Sequence, residues 1–352
     1  MDEVIINMAM NLIIADTDQE YMERLEQYLV KKTEGMYNII KYTDKDELSD
    51  ALKKKKYDIL LCSPDLYDES ITYKHVILSI LLKDEDEVQH MPDVEIRVIN
   101  KFTRITTLID YIAKEYEEAK SNQPTICCVY SPAGGVGKTT VALSMAIAYA
   151  KMGKKAFYLN LEDFESTHFY FRPREGAGIG DVLSEFSTKR ETEFKINEAK
   201  IQELRINEAK QVDIKTGVMY FSQFKDVNVL RTITEEQITA LIERLTEGGI
   251  SNAVFIDTST GLSNINRCLF NLADKVIIVA RDNATTMHKV NKFLMSEDIV
   301  GPIRSKLKLL MNRSSTVDNS TGIEVISRID ELSMDDPLEM CELIAQNYII
   351  NK

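Results

Sequence analysis

The sequence lacks the features of a membrane-embedded or secreted protein. No run of apolar residues approaches the roughly 18 that a membrane-spanning helix needs. The start, Met1-Asp2-Glu3, has none of the basic residues that open a secretion signal. The five cysteines lie in apolar runs or helices without C-x-x-C spacing, which is typical of buried thiols in a reducing cytoplasm. We therefore expect a cytoplasmic protein that has no membrane anchor of its own.

Histidine is also scarce, and acidic residues outnumber basic ones. The four histidines are scattered along the chain, so a metal site built on them is not expected. The formal net charge is −13, and residues 1–120 hold 26 acidic and 16 basic residues. A protein that binds DNA without sequence preference needs a basic surface to neutralise phosphates. The charge balance therefore argues against a nucleic-acid partner, although it leaves room for a local basic patch.

Length and periodicity predict two α/β domains. A chain of 352 residues is long for a single core, and short apolar runs alternate with stretches of helical periodicity. We predict a first domain over residues 1–120, a polar linker over 121–124 and a second domain over 125–352. In the first domain the predicted strands are 11–15, 37–42, 57–62 and 95–100, and the predicted helices are 18–32, 46–54, 75–82 and 106–120.

The most informative stretch lies between a predicted strand, 125–130, and a predicted helix, 141–152. A glycine-rich turn at this place directs several backbone N–H groups toward one point at a positive helix N-terminus. Lys138 adds a mobile cation for the β- and γ-phosphates of a nucleotide, and the Thr139 hydroxyl is placed to bind Mg²⁺. The residues predicted to bind the nucleotide here are Gly134, Gly135, Val136, Gly137, Lys138, Thr139 and Thr140.

A later strand carries a candidate metal ligand. Residues 253–259 read Ala-Val-Phe-Ile-Asp-Thr-Ser, so an apolar strand ends at Asp257 in the Walker B pattern. Such a carboxylate accepts from an Mg²⁺-bound water and orients the ion. Gly261 and Asn264 follow and suit a mobile switch loop that senses the γ-phosphate.

The loop x-G-G-x-G-K-T-T, with Pro132 in place of the first glycine of the strict P-loop, resembles the deviant Walker A loop of the MinD/ParA ATPases. The resemblance implies a P-loop NTPase fold with a mostly parallel sheet, ATP and Mg²⁺ as cofactors, and a homodimer. In that family the strand after the P-loop helix ends in Asp-x-Asp, and the second acid helps to position the attacking water. Asn160 and Glu162 take these places, which gives Glu162 a catalytic role beside Lys138 and Asp257; an ordinary polar strand end is the alternative for both.

Two further features of this resemblance bear on function. The strand 307–313 resembles the final strand of the family, which assigns Asn312 and Arg313 to the adenine site; a loop cap is the alternative for Asn312. The family's signature lysine, which reaches the phosphates bound by the partner subunit, is replaced by Ala133. At most slow ATP hydrolysis is expected. Residues 333–352 predict an acidic helix, which lacks the basic face of a membrane-binding helix.

The β/α order of residues 11–120 resembles a response-regulator receiver, which has a flavodoxin-like fold. The receiver acid pair aligns with Asp16 and Thr17, the phosphoacceptor with Ser63, and the receiver lysine with Lys101. The stretch from 63 to 101 looks short by about one α/β unit. An aspartyl-phosphate needs a carboxylate and coordinated Mg²⁺. We therefore expect a degenerate receiver that docks partners, with Asp16 and Asp18 capping the first helix rather than binding metal.

A degenerate receiver ahead of a deviant Walker ATPase resembles the TadZ/CpaE family, which localises the Tad (Flp-type) pilus machinery at a cell pole. The resemblance implies an ATP-binding, dimerising localisation factor whose partners are pilus or secretion assembly proteins, held at a pole or at the inner membrane face by those partners. A ParA-like DNA-partition ATPase and a nucleotide-independent scaffold are the alternatives. The charged segment 189–215 is predicted to be a solvated helix pair, with a partner-binding arm as the alternative.

Overall fold

The computed structural model describes residues 10–55, 57–68, 76–84, 97–164, 166–172, 176–187, 195–222, 232–247, 249–314 and 321–350. The chain divides into two compact units, Met1–Gln123 and Pro124–Lys352. Each unit contains a mostly parallel β-sheet with helices packed on it. The predicted α/β fold class is confirmed.

The first unit is built on a five-stranded parallel sheet with the order β2-β1-β3-β4-β5, the order of flavodoxin-like folds. Because every neighbouring pair is parallel, the carboxyl ends of all five strands lie at one edge. Ligand sites of open α/β sheets form at this edge. The strands are β1 (Met10–Ala15), β2 (Tyr37–Tyr42), β3 (Tyr57–Cys62), β4 (Val76–Lys83) and β5 (Arg97–Asn100).

Three helices of the first unit lie in the part that the structure describes: α1 (Gln19–Thr33), α2 (Lys45–Lys54) and α3 (Ile105–Asn122). Helix α1 begins where the Asp18 carboxylate accepts the Tyr21 N–H at 3.0 Å, so the predicted capping by Asp18 is confirmed. It buries Met22, Leu25 and Leu29, which are spaced to share one helical face.

Two predictions for this unit are wrong. Residues 76–82, predicted as helix, form strand β4, which lies between β3 and β5 in the sheet. Their sequence is apolar apart from Ser79, which is typical of a central parallel strand, and periodicity alone cannot separate such a run from a buried helix. The stretch predicted to be one α/β unit short still supplies both β4 and β5. The predicted linker 121–124 is also shorter than expected, because α3 continues to Asn122.

The second unit contains an eight-stranded sheet with the order β13-β12-β11-β6-β10-β7-β9-β8. All neighbouring pairs are parallel except β8 with β9. Strands β6, β10 and β7 therefore bring three carboxyl ends together at the middle of the sheet. The strands are β6 (Thr125–Tyr130), β7 (Ala156–Leu161), β8 (Lys210–Val212), β9 (Met219–Phe221), β10 (Ala253–Thr258), β11 (Lys275–Ala280), β12 (Leu307–Asn312) and β13 (Val325–Ile329).

The helix after β6, α4 (Lys138–Lys151), is deeply buried against the sheet. Its residues Val141, Ala142, Leu143, Ala146 and Ile147 are all fully buried. An apolar helix of this kind fixes the position of its own N-terminus against the strand ends. The remaining helices are α5 (Thr167–Tyr170), α6 (Ile179–Ser187), α7 (Lys195–Ala209), α8 (Glu235–Glu247), α9 (Asn264–Leu272), α10 (Ala284–Leu294), α11 (Glu297–Val300) and α12 (Pro337–Ile344).

Three predictions for the second unit need correction. Within 189–215 the described residues form one helix, α7, followed by strand β8 rather than a helix pair, and residues 188–194 lie outside the described part. Ile206 and Ala209 of α7 are buried, so the helix packs on the core instead of standing in solvent. Strand β12 is not the last strand, since β13 pairs beside it.

The acidic C-terminal helix begins later than predicted, continues as a π-helix over Ala345–Ile350, and is part of the core. Helix α12 begins at Pro337, after Asp336 accepts two backbone N–H groups, and Cys341 and Ile344 are almost fully buried. Its apolar face packs against α4. No helix in the described ranges is long and apolar enough to cross a membrane.

The cysteine prediction is confirmed for four of the five thiols. Cys62, Cys127, Cys128 and Cys341 are free and buried, while Cys268 is half-buried. Burial raises the pKa of the Cys127 thiol to about 12, so this group stays protonated and behaves as a small apolar side chain.

Candidate nucleotide-binding site

The loop between β6 and α4 needs glycine at two positions. Gly135 and Gly137 have φ angles of 69° and 93°, in the left-handed region that side chains disfavour. A Cβ on Gly137 would also lie 2.3 Å from Asn312 Nδ2. The loop therefore turns tightly and brings its backbone to the N-terminus of α4, where orphan N–H groups and the helix dipole favour an anion.

Lys138 and Thr139 meet at a carboxylate. Lys138 is 7% exposed, and its Nζ lies 3.3 Å from Glu162 Oε1 and donates to Thr260 Oγ1 at 3.3 Å. The Thr139 hydroxyl donates to Glu162 Oε2 at 3.2 Å. One carboxylate at the end of β7 thus bridges the two side chains predicted to hold phosphate and metal.

Asp257 lies at the end of the neighbouring strand and is fully buried. Its Oδ2 accepts the Tyr158 hydroxyl at 3.0 Å, and its Oδ1 accepts no hydrogen bond from any described residue. Burial raises the pKa of this carboxyl, and the negative charge of Glu162 raises it further, while the nearby Thr139 hydroxyl, the charge of Lys138 and the Tyr158 bond act in the opposite direction. A buried carboxylate with a free oxygen is suited to a cation.

The strand register explains why these groups meet. Asp257 of β10 stands opposite Asn160 of β7, and Phe255 stands opposite Tyr158. Side chains two residues apart share one face of a strand, so Tyr158 and Asn160 lie on the same face as Asp257. Sequence reasoning predicted Lys138, Thr139, Glu162 and Asp257 for this site, and the structure brings all four together.

Two residues of the site were not predicted. Tyr158 lies within an apolar strand, and its polar tip becomes informative only once the register with β10 is known. Thr260 lies two residues after the strand that carries Asp257, next to the predicted Gly261, and has no sequence signal of its own. The structure places Asn264 in the first turn of α9 rather than in a loop.

The AAA domain family matches residues 124–309 of this sequence. The chain belongs to the AAA domain family. The match begins at Pro124, which is also the first residue of the second unit. A comparison with curated proteins gives no match.

Several solved structures align with this chain. A ParA family ATPase from Chlorobium tepidum TLS aligns over 63% of this chain and 91% of its own, with a TM-score of 0.51 and 13% identity. A septum site-determining protein MinD complexed with Mg-ADP, from Pyrococcus horikoshii OT3, aligns over 62% of this chain and 86% of its own, with a TM-score of 0.42 and 16% identity. A plasmid partition protein from Borrelia burgdorferi aligns over 63% of this chain and 97% of its own, with a TM-score of 0.42 and 19% identity. The first of these gives the AAA domain of this chain the fold of a ParA-type ATPase.

In this AAA domain the position of the signature lysine is not open to solvent. Ala133 is 4% exposed, and its backbone N–H donates to Ser131 Oγ at 3.2 Å. Its methyl group packs in the same buried cluster as Val136. The loop thus presents no cation at this residue.

Asn312 and Arg313 lie at the end of β12, beside the P-loop. The Asn312 amide donates to the Val136 carbonyl at 2.7 Å and is 4% exposed, so it supports the loop backbone. Arg313 is exposed and has a φ of 52°. The adenine role of both residues stays a prediction.

The first unit has a different arrangement at the carboxyl ends of its strands. Lys101 Nζ lies 2.7 Å from Asp16 Oδ2, and Asp16 Oδ1 accepts the Asp18 N–H at 2.9 Å, so Asp16 pairs with a lysine instead of capping α1. Ser63 is buried, and its hydroxyl has no hydrogen-bond partner among the described residues. No cluster of three His, Cys, Asp or Glu side chains suited to a metal occurs in the part of the chain that the structure describes.

Proposed function

We propose that this chain is an ATP-binding, dimerising switch that localises a Tad (Flp-type) pilus or secretion machinery and hydrolyses ATP slowly. The observation that carries the nucleotide part is the convergence of Lys138, Thr139 and Asp257 at the N-terminus of a buried helix. Family membership and the ParA-type fold of the AAA domain support the same reading.

The residues present fit ATP and Mg²⁺. The backbone of the loop and the first turn of α4 offer N–H donors for phosphate oxygens, and Lys138 adds a cation there. Thr139 supplies a hydroxyl for Mg²⁺, and the free Oδ1 of Asp257 is the second group that the ion would use. Bound Mg²⁺ would neutralise charge on the β- and γ-phosphates.

Slow turnover is proposed from two features of the site. Glu162 is the carboxylate assigned to orient the attacking water, and it is held by Lys138 and Thr139. Ala133 brings no cation that could reach a partner subunit's nucleotide. A dimer that binds ATP tightly and hydrolyses it slowly would persist, which suits a positional marker.

The first unit is proposed as a receiver-like domain, over residues 1–120, that docks partners and is not phosphorylated. Its flavodoxin-like strand order supports the receiver resemblance. Ser63 and Thr17 stand where phosphorylation requires carboxylates, and Lys101 already neutralises Asp16. Through pilus or secretion proteins bound to this unit, the chain would reach a cell pole or the inner membrane face in the cytoplasm.

ATP binding is the first test. Isothermal titration calorimetry with ATP and Mg²⁺ should show binding to the full chain and at least tenfold weaker binding to Lys138→Ala, since a charge-assisted phosphate contact contributes about 1.5–3 kcal/mol. Lys151→Ala, at the far end of the same helix, is the matched control. Equal affinity of wild type and Lys138→Ala would contradict the site.

A ParA-like DNA-partition ATPase is the second candidate, because a ParA family ATPase shares the fold at a TM-score of 0.51. It predicts salt-sensitive binding to nonspecific DNA in the presence of ATP. A mobility-shift titration with and without ATP separates the two. A fluorescent fusion that forms a polar focus and recruits pilus components would support the proposed function, and a nucleoid-wide distribution would oppose it.

A further inference from the structure

Three consecutive hydrogen bonds lead from the end of β7 to Asp257. The Glu162 N–H donates to Asn160 Oδ1 at 2.9 Å, Asn160 Nδ2 donates to the Tyr158 hydroxyl oxygen at 3.0 Å, and the Tyr158 O–H donates to Asp257 Oδ2 at 3.0 Å. Tyr158, Asn160 and Asp257 are 1%, 8% and 0% exposed. Water competes little for bonds at this depth, so the three bonds act as one buried network.

The chemistry of the donors fixes the direction of every bond. A backbone N–H can only donate, so the Asn160 atom that faces Glu162 is the amide oxygen and the amide nitrogen faces Tyr158. Because Asn160 donates to the Tyr158 oxygen, the single hydroxyl proton of Tyr158 is directed to Asp257. A carboxylate at position 160 would accept from Tyr158 and compete with Asp257 for that proton.

The network determines which oxygen of Asp257 stays available. Tyr158 occupies Oδ2 and holds the carboxylate in one orientation, while Oδ1 accepts no hydrogen bond from the described residues. We propose that Tyr158 and Asn160 are positioning residues that hold the Asp257 carboxylate so that Oδ1 is free for Mg²⁺. This inference rests on the proposed binding of ATP and Mg²⁺.

The residue types at these positions follow from the same role. Phenylalanine would fill the space of Tyr158, whose ring packs 6.4 Å from the Phe171 ring, and would leave Oδ2 of Asp257 without its bond. Groups that hold a metal-binding carboxylate in place typically contribute 10- to 100-fold in metal affinity. The Tyr158 hydroxyl is therefore not needed for packing, and its role is to hold Asp257.

The test measures the Mg²⁺ requirement of nucleotide binding in the full-length protein. Binding of a fluorescent ATP analogue is titrated with Mg²⁺ for wild type, Tyr158→Phe and Asn160→Asp. Tyr149→Phe is the matched control, since its ring lies 5.0 Å from Phe255 on the strand that carries Asp257 and it loses a hydroxyl outside the network. Thermal melts verify that all four proteins are folded.

The inference predicts a split between two readouts. Affinity for the analogue without Mg²⁺ should stay within about twofold of wild type in Tyr158→Phe, which changes no charge, while the Mg²⁺ concentration for half-maximal enhancement should rise about tenfold or more in both variants. Tyr149→Phe should behave as wild type. For Asn160→Asp the direction in which the Mg²⁺ midpoint moves is decisive. If the added carboxylate acted only through its negative charge, it would attract Mg²⁺ and lower the midpoint, whereas the loss of the hydrogen-bond network raises it.

Two outcomes overturn the inference in different ways. If wild type binds the analogue with Mg²⁺ and the midpoints of Tyr158→Phe and Asn160→Asp are unchanged or lower, the positioning role is wrong and the proposed function stands. If wild type shows no Mg²⁺-enhanced binding, the proposed function fails and the positioning role fails with it.

Discussion

Replacing Glu162 by glutamine is expected to change ATP affinity and turnover in opposite directions. The Glu162 carboxylate lies 3.3 Å from Lys138 Nζ and accepts from the Thr139 hydroxyl at 3.2 Å. Lys138 and Thr139 are the side chains proposed to hold phosphate and Mg²⁺. An entering nucleotide therefore has to displace the carboxylate from both of them, and its own negative charge is repelled by Glu162 until it does.

The size of the effect follows from the burial of the pair. The Lys138 and Glu162 side chains are 7% and 20% exposed, so solvent screens their interaction only in part. Two unit charges 4 Å apart interact by about 4 kcal/mol at an effective dielectric constant of 20, and the cost of desolvating the pair offsets much of this. We take about 1–2 kcal/mol as the net gain on removing the Glu162 charge, which corresponds to roughly 5- to 30-fold tighter ATP binding.

Turnover should fall in the same variant, because glutamine cannot accept a proton from an attacking water; general-base catalysis typically contributes about 10²- to 10⁴-fold. Calorimetry measures the affinity, and phosphate release in a single turnover measures the rate. Asp163→Asn is the matched control, since Asp163 is the next residue, is exposed and accepts from Ser259 Oγ at 3.1 Å. Unchanged or weaker ATP affinity of Glu162→Gln would refute the ion-pair reasoning, and an equal gain in Asp163→Asn would assign the effect to net charge.

The remaining predictions concern Ala133, the first unit and its buried ion pair. Ala133→Lys should raise steady-state ATP turnover if the lysine leaves the buried cluster around Ala133. The rise should approach the roughly 10³-fold that a cation supplied in trans can contribute. Wild-type turnover as fast as that of typical family members would contradict this prediction. Incubation with acetyl phosphate and Mg²⁺ should add no phosphoryl group by intact-mass analysis, and an acid-labile adduct on the first unit would contradict the degenerate receiver. Lys101→Met should destabilise the first unit by about 3–5 kcal/mol in urea unfolding, because it leaves the buried Asp16 charge unpaired, whereas the exposed Lys53→Met control should change stability by less than about 0.5 kcal/mol.

The sequence was sufficient where local pattern and structure agree. Strands β2, β3 and β6 have the predicted bounds, because short β-type runs there are closed on both sides by polar or turn residues. The assignment of β4 failed because Val76–Lys83 is apolar apart from Ser79 and the terminal lysine, and such a run fits a buried helix as well as a central strand. Strand β13 was missed because it carries no comparable apolar run and becomes a strand only by pairing with β12.

The candidate site likewise contains residues that local sequence predicts and residues that only the pairing of strands brings together. Lys138 and Thr139 are adjacent in a recognisable loop, and Asp257 follows an apolar strand, so spacing alone predicts their meeting at the carboxyl edge of a parallel sheet. The bond between Tyr158 and Asp257 depends on the register of two strands whose residues are 99 positions apart. Sequence periodicity within one strand contains no information about that register, so the network remained invisible until the fold was known.

The two units use a lysine–carboxylate pair at the same place in their sheets, with different consequences. In the first unit Lys101 and Asp16 neutralise each other, and Ser63 and Thr17 stand at the positions where a receiver has carboxylates. In the second unit Lys138 pairs with Glu162, but Asp257 keeps one oxygen without a hydrogen bond from the described residues. A buried carboxylate oxygen without a partner is costly, and a cation bound there would remove that cost. At the first edge the carboxylate is therefore already paired with a lysine of the chain itself, whereas the second edge keeps a carboxylate oxygen for what binds to it, and this difference is the physical reason for assigning the switch to the AAA domain.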